Sequence, residues 1–470
     1  MTSKSTVDLK LSGTLRLLAA VFVIAGLTGC HPTGGNFLSG CLTCGSPNQV
    51  NLEGTLSGLV GSGLVLQTNS SSPGFTIAGG AGSNGTGVLF ASAPINTAYD
   101  LTVQTQPTNP SQTCIVSNGT GTTGTADVTN VVVTCTTNPP RFAYVVNRGS
   151  NNVSAYTVDP ASGTLAPIAG APFQAGNMPV AIAVDPTGRY AYVVNKTDST
   201  VSAFLIDRSS GALTPVTGSP FPSESGPTSV AIDPTNSLVY VTNGAANTLS
   251  EYAITAGSGA LTAVPGSPLP TGTSPSSVAV APDENVVFVA NQSDGTVSVF
   301  GGLGDEGLAP NTVPPLTTGT GPASLAIDSS DHLYVANTAS DTLSAFGEIF
   351  TNRSNAATGS YATGSAPISV AIGPLDNYVY VANQGSNNIS AFALDPTTGA
   401  LTPLVGSPFA AGNQPSSVAI DPTGAFAYVV NTGSDTVSAY KIDATSGALS
   451  PLGGSPFVTG TQPSAIAISD

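Results

Sequence analysis

A short strand ending, Tyr or Phe followed by Val, any residue and Asn, recurs seven times in the last 330 residues of this 470-residue chain. The copies close at Asn147, Asn195, Asn243, Asn291, Asn337, Asn383 and Asn431, spaced by 48, 48, 48, 46, 46 and 48 residues. A period of that size marks supersecondary units that cannot bury their apolar faces alone and must stack on neighbours of the same kind.

The fullest unit reads Pro415-Ser-Ser-Val-Ala-Ile-Asp421-Pro-Thr-Gly, Phe426-Ala-Tyr-Val-Val-Asn431, Thr436-Val-Ser-Ala-Tyr-Lys-Ile-Asp443, then Gly447-Ala-Leu-Ser-Pro and Gly454-Ser-Pro-Phe457. Each run is short, rich in β-branched and aromatic residues, and bounded by Pro, Gly, Asn or Asp turns, which predicts four strands, A to D, per unit. The repeat region opens on a B strand, Phe142 to Asn147, with no A strand before it. It closes on an A strand, Pro463 to Ile468, with no B strand after it. An open array would leave both ends as bare edges, whereas a ring pairs them. The expected fold class is therefore all-β, with a seven-bladed β-propeller over 139–470 closed by strand 463–468.

Only 8% of the residues are charged, and the formal net charge is -16. An acidic surface repels phosphate backbones, so nucleic acid is not an expected partner. Lys4, Lys10 and Arg16 precede an apolar run from Leu17 to Leu27, which is shorter than the roughly 20 residues a membrane span needs. It ends in Leu27-Thr28-Gly29-Cys30, which resembles the bacterial lipobox. Residues 1–29 are expected to be a lipoprotein signal peptide, Cys30 the lipidation site and 30–49 a flexible tether. That predicts a cell-envelope address, at the outer membrane or cell surface, with the membrane as a partner through the lipid anchor.

Export into an oxidising compartment leaves four cysteines for two disulfides. Cys114 with Cys135 would close a loop of about 20 residues, stabilising by about 3 kcal/mol in the chain-entropy model. For Cys41 and Cys44 a local disulfide is expected. No thioredoxin-like pattern surrounds them, and only His31 is near as a further zinc ligand, so neither a redox pair nor a metal site is expected. Residues 50–138 carry seven short alternating strands, which predicts a small Ig-like β-sandwich domain with no catalytic residues.

The Tyr-Val-x-Asn endings, the Ala-Ile-Asp-Pro-Thr turns and the Gly-Ala-Leu-Thr-Pro and Gly-Ser-Pro-Phe tails resemble bacterial YVTN-type propellers and the related lactonase family, whose namesake is 6-phosphogluconolactonase. The resemblance covers about residues 139 to 470. It implies the propeller fold and, for activity, hydrolysis of a sugar-derived lactone. The matching motifs are blade scaffolding and carry no chemistry of their own.

The seven Asn residues read as structural, since one site would not recur around a ring. The Asp-Pro pairs at Asp185, Asp233 and Asp421 read as Asx turns. Strand alternation puts the B–C and D–A loops on one face and the A–B and C–D loops on the other. Arg148 and Lys196 follow the repeat Asn in adjacent blades, and with Asp198 and Glu224 they are the candidate ligand or catalytic residues of the first face. Two cations could grip an anion while a carboxylate activates water. His332, the propeller's one histidine, is expected at a surface turn of the opposite face. The residues favour a monomeric binding protein that meets a protein or glycan through a loop face, without cofactor or metal. The alternative is the lactonase that the resemblance implies.

Overall fold

The computed structural model describes residues 48–60, 63–69, 75–77, 83–107, 112–137, 141–282, 286–302, 308–310, 314–347 and 357–469. The proposed signal peptide, Cys30, Cys41 and Cys44 lie outside the described residues.

The N-terminal region forms two four-stranded sheets. One is ordered Gly85–Pro94, Gln49–Ser57, Val128–Thr137, Gln112–Ser117, and the other Phe75–Ile77, Leu64–Thr68, Ala98–Thr105, Thr120–Thr122. Period-two alternation in Gln49–Ser57 buries Val50, Leu52, Gly54 and Leu56 on one face. Leu52, Leu56, Phe90 and Val133 of the first sheet share a core with Leu64, Leu66, Ile77 and Leu101 of the second. Gly54 is required there, because a Cβ would stand 1.7 Å from the Val131 carbonyl oxygen. Eight strands are seen where seven were expected, the addition being Thr120–Thr122. Cys114 and Cys135 form a disulfide between directly opposed residues of neighbouring strands within one sheet.

The remainder is a ring of seven blades. In the second, the A strand Pro179–Val184, the B strand Tyr190–Asn195 and the C strand Thr200–Ile206 are followed by a D strand in two pieces, Leu213–Pro215 and Phe221–Pro222, both paired with C. The Ser of Gly-Ser-Pro lies in the break. Its hydroxyl accepts the C-strand N–H there, as Ser219 does from Ala203 at 2.9 Å and Ser407 from Ala391 at 2.9 Å.

Closure occurs as the chain order predicts: Pro463–Ile468 pairs antiparallel with Arg141–Asn147, with Ile466 opposite Val145. The apolar core lies between blades. Phe142, Tyr144 and Val146 of the first, for example, pack with Ala191, Val193 and Phe204 of the second.

Two polar stitches repeat around the ring and explain recurring letters of the unit. The Tyr of Tyr-Val-x-Asn donates its hydroxyl to the carbonyl of the C–D loop Gly in the next blade, as Tyr144 to Gly211 at 2.9 Å and Tyr380 to Gly447 at 2.8 Å. Burial pushes these phenols well above their ordinary pKa, so they remain donors. Nearer the channel, the A-strand Ser accepts an N–H from the next A strand: Ser229 from Val278 at 3.3 Å, Ser369 from Val418 at 3.1 Å.

Candidate functional site

The repeat Asn side chains organise the first face. Asn195 is fully buried, its amide donating to Thr200 at 3.0 Å and Ser202 at 2.9 Å while its carbonyl accepts the Gly176 N–H at 3.0 Å. Asn291 and Asn431 do the same with Gly272 and Gly412. These three Asn residues thus tie a B–C hairpin to the D–A loop that enters their blade, a structural role as expected. In Asn147, Asn243 and Asn383 the carbonyl oxygen is buried without a hydrogen-bond partner.

Immediately after these Asn residues the two cations emerge. Arg148 is half-buried, and its Nε is buried with no hydrogen-bond partner. Lys196 is exposed and lines a cavity of about 310 Å³ together with Gly226, Thr228, Gly244, Ser274, Pro275, Ser276 and Gln292. The lining comes from B–C and D–A loops and the first residues of A strands in consecutive blades, on the face where those loops lie.

The carboxylates are placed differently. Asp198 accepts the Asn177 backbone N–H at 2.6 Å and its side-chain amide at 2.8 Å, and these bonds hold its carboxyl below the usual carboxylate range. Asp294 makes the equivalent backbone bond to Thr273 at 2.6 Å, so this position braces the D–A loop. Glu224 is exposed and lines a second cavity of about 290 Å³, with Phe221, Ser250, Tyr252 and Leu261. Lys196 and Glu224 therefore line different cavities, although Glu224 is two residues from Gly226 of the first. No carboxylate lines the Lys196 cavity.

The opposite face is structural at the positions singled out. Asp185, Asp233 and Asp421 are buried Asx turns, Asp421 accepting the N–H groups of Ala425 and Phe426 at 2.8 Å each. His332 departs from expectation: it is 2% exposed, with Nδ1 2.8 Å from the Asp328 carboxylate. Its ring packs under Gly399, in the slot that Phe426 fills under Gly163 and Tyr378 under Gly447. It is a core aromatic position, two residues before the blade's Tyr334, and that register was the available signal. In the fourth and fifth blades Gly301 to Glu306 and Phe346 to Arg353 stand where the other units carry Gly-Ala-Leu-Thr-Pro, and of these stretches residues 303–306 and 348–353 lie outside the described residues. Among the described residues, no group of three or more His, Cys, Asp or Glu is placed to hold a metal ion.

A closed ring of seven four-stranded sheets with polar loops over one channel mouth defines a seven-bladed β-propeller with a candidate small-molecule cavity. The family described as Lactonase, 7-bladed beta-propeller, matches residues 102–225, 216–308, 305–412 and 404–467, and the chain belongs to it. No curated protein matches the chain. Among solved structures, a candidate 6-phosphogluconolactonase from Bacteroides fragilis is similar at 18% identity and TM-score 0.63, over 71% of this chain and 99% of that one. The Pseudomonas aeruginosa periplasmic gluconolactonase PpgL gives 19% and 0.60 over 71% and 99%, and a Lactobacillus plantarum protein 24% and 0.59 over 71% and 100%. At these identities the likeness is one of fold.

Proposed function

We propose that this chain is a lactone hydrolase acting on a sugar-derived lactone at the B–C/D–A face. The observation that carries the reading is Lys196 in a polar cavity of small-ligand size on the loop face of a lactonase-family propeller. Arg148 stands at the same position of the adjacent blade, in a chain with ten Lys and Arg in all. Ring opening needs water delivered to the lactone carbonyl and positive charge where the oxyanion develops. Arg148 and Lys196 supply the charge. Of the two candidate carboxylates Glu224 is the better base, because Asp198 is already occupied by two donors from Asn177, and Glu224 would have to reach the water from the neighbouring cavity that it lines.

The lipobox-like Leu27 to Cys30 supports a lipid-anchored, cell-envelope address for the protein, which acts as a monomer. Such an address suits a lactonase: the P. aeruginosa structure of the same fold is described as a periplasmic enzyme.

A second reading, binding of a protein or glycan without turnover, is favoured by the lack of a carboxylate in the Lys196 cavity. A pH-stat titration of the purified protein with glucono-lactone and its 6-phosphorylated counterpart separates the two. Acid release above the spontaneous rate supports the hydrolase, and release at the spontaneous rate for every lactone tried supports binding alone.

A further inference from the structure

The third blade breaks the repeat at one rim position. In two blades the residue after the repeat Asn is a threonine whose hydroxyl donates to the carbonyl that starts the next blade's A strand, Thr338 to Pro367 at 2.7 Å and Thr432 to Pro463 at 2.6 Å. In the third blade that residue is Gly244. A Cβ there would stand 2.8 Å from Thr228 Cγ2 and 3.3 Å from the Pro275 carbonyl oxygen. Thr228, from the blade's own A strand, donates its hydroxyl to that carbonyl at 2.7 Å, as Ser276 does to Pro322 in the fourth blade at 2.8 Å. Ala245 and Ala246 follow, where the flanking blades carry Thr197-Asp198 and Ser293-Asp294. The missing side chains open the cavity of about 310 Å³ as a notch between Lys196 of the second blade and Gln292 of the fourth.

The lining chemistry is selective. Lys196 is the one charged lining group, so one negative charge is matched and a second would sit uncompensated on a protein of net charge -16. The other polar groups are neutral and offer both hydrogen-bond senses. The Thr228 and Ser276 hydroxyls spend their protons on the Pro275 and Pro322 carbonyls, which leaves the Ser276 oxygen as an acceptor and the Thr228 oxygen with one lone pair beside the Thr242 hydroxyl at 2.9 Å. The exposed Gln292 amide supplies a donor and an acceptor. No aromatic side chain lines the notch, which disfavours a flat apolar ligand.

We infer that this notch is a subsite for a small, singly charged polyhydroxy carboxylate, with Lys196 pairing to the carboxylate and Gln292, Thr228 and Ser276 meeting the hydroxyls. The choice of a sugar acid, the product of opening a sugar lactone, rests on the lactonase reading. The place and the charge class rest on the notch.

The test is calorimetric titration of the full-length protein with sodium gluconate, 6-phosphogluconate and glucose. Gluconate is expected to bind at one site, 6-phosphogluconate no more tightly, and glucose at least tenfold more weakly. Lys196→Ala should weaken gluconate about tenfold. Thr228→Ser with Gly244→Thr copies the Ser416 and Thr432 pair of the seventh blade, fills the notch with an arrangement the fold already holds, and should abolish binding. Absence of gluconate binding in the wild type, or binding unchanged in either variant, overturns the subsite. Should the filled variant fail to fold, the exposed Lys196→Ala change decides alone. Gluconate binding without lactone turnover would retain the subsite and remove the hydrolase reading. Turnover with binding indifferent to both variants would do the reverse.

Discussion

The Tyr428 hydroxyl donates to the Gly163 carbonyl oxygen at 2.7 Å, across a separation of 265 residues. This bond belongs to the interface where the seventh blade meets the first, and it copies the Tyr192–Gly259 bond at 3.0 Å between the second and third. The closing seam is thus built like an internal one. Tyr428→Phe and Tyr192→Phe should each cost about 1–3 kcal/mol, since each strands a buried carbonyl. Matched chemical-denaturation curves check this. A much smaller loss at Tyr428 would mean a loose seam.

The repeat Asn residues should differ in worth. Asn195→Ala strands the Gly176 N–H, whereas the Asn243 carbonyl has no partner to lose. The first substitution is expected to destabilise by about 1 kcal/mol more than the second. Urea midpoints of the two variants measure the difference, and equal losses would contradict the accounting of partners.

Glu251 occupies a C-strand position held by Ala203 and Ala439 in other blades, is 2% exposed, and has one carboxylate oxygen without a partner. The other accepts the Leu308 N–H at 3.1 Å. Burial raises its pKa above the ordinary 4.5, only partly offset by that bond. As pH rises from 4.5, the native state keeps a proton that the unfolded chain has released, so this group's contribution to stability is lost through that window. Glu251→Ala should therefore raise Tm more at pH ~7.5 than at pH ~4.5. A Tm change of the same size at both pH values would show that the carboxyl titrates normally.

His332 fills an aromatic slot under Gly399 on the face away from Lys196. His332→Ala should lower stability by about 2–4 kcal/mol through lost packing and the lost imidazole contact to the Asp328 carboxylate, and leave any lactone turnover of the folded protein unchanged. Thermal melts and initial rates on the same sample check both halves. A loss of turnover without loss of stability would bring chemistry to the second face.

Much of the fold was legible because closure is written in order: a chain that starts on B and ends on A, with seven Asn-ended strands between, can satisfy its edges by pairing Pro463–Ile468 with Arg141–Asn147. The Asp turns were legible for a local reason, since Asp421 bonds residues four and five positions on. What crosses between blades was not. Lys196 and Glu224 read as neighbours by loop order, yet the lie of Pro222 to Gly226 turns them into different cavities. Gly244 reads as one glycine among 54 until the Thr228 hydroxyl is seen covering Pro275. Thr120–Thr122 escaped notice because Thr-Gly-Thr shows no apolar alternation.

The most direct measurement is kcat/KM for sugar-lactone hydrolysis by the wild type and by Arg148→Ala/Lys196→Ala at matched folding. The cationic-mouth account predicts measurable turnover that falls by about a hundredfold or more in the double variant. Turnover preserved in that variant would contradict it.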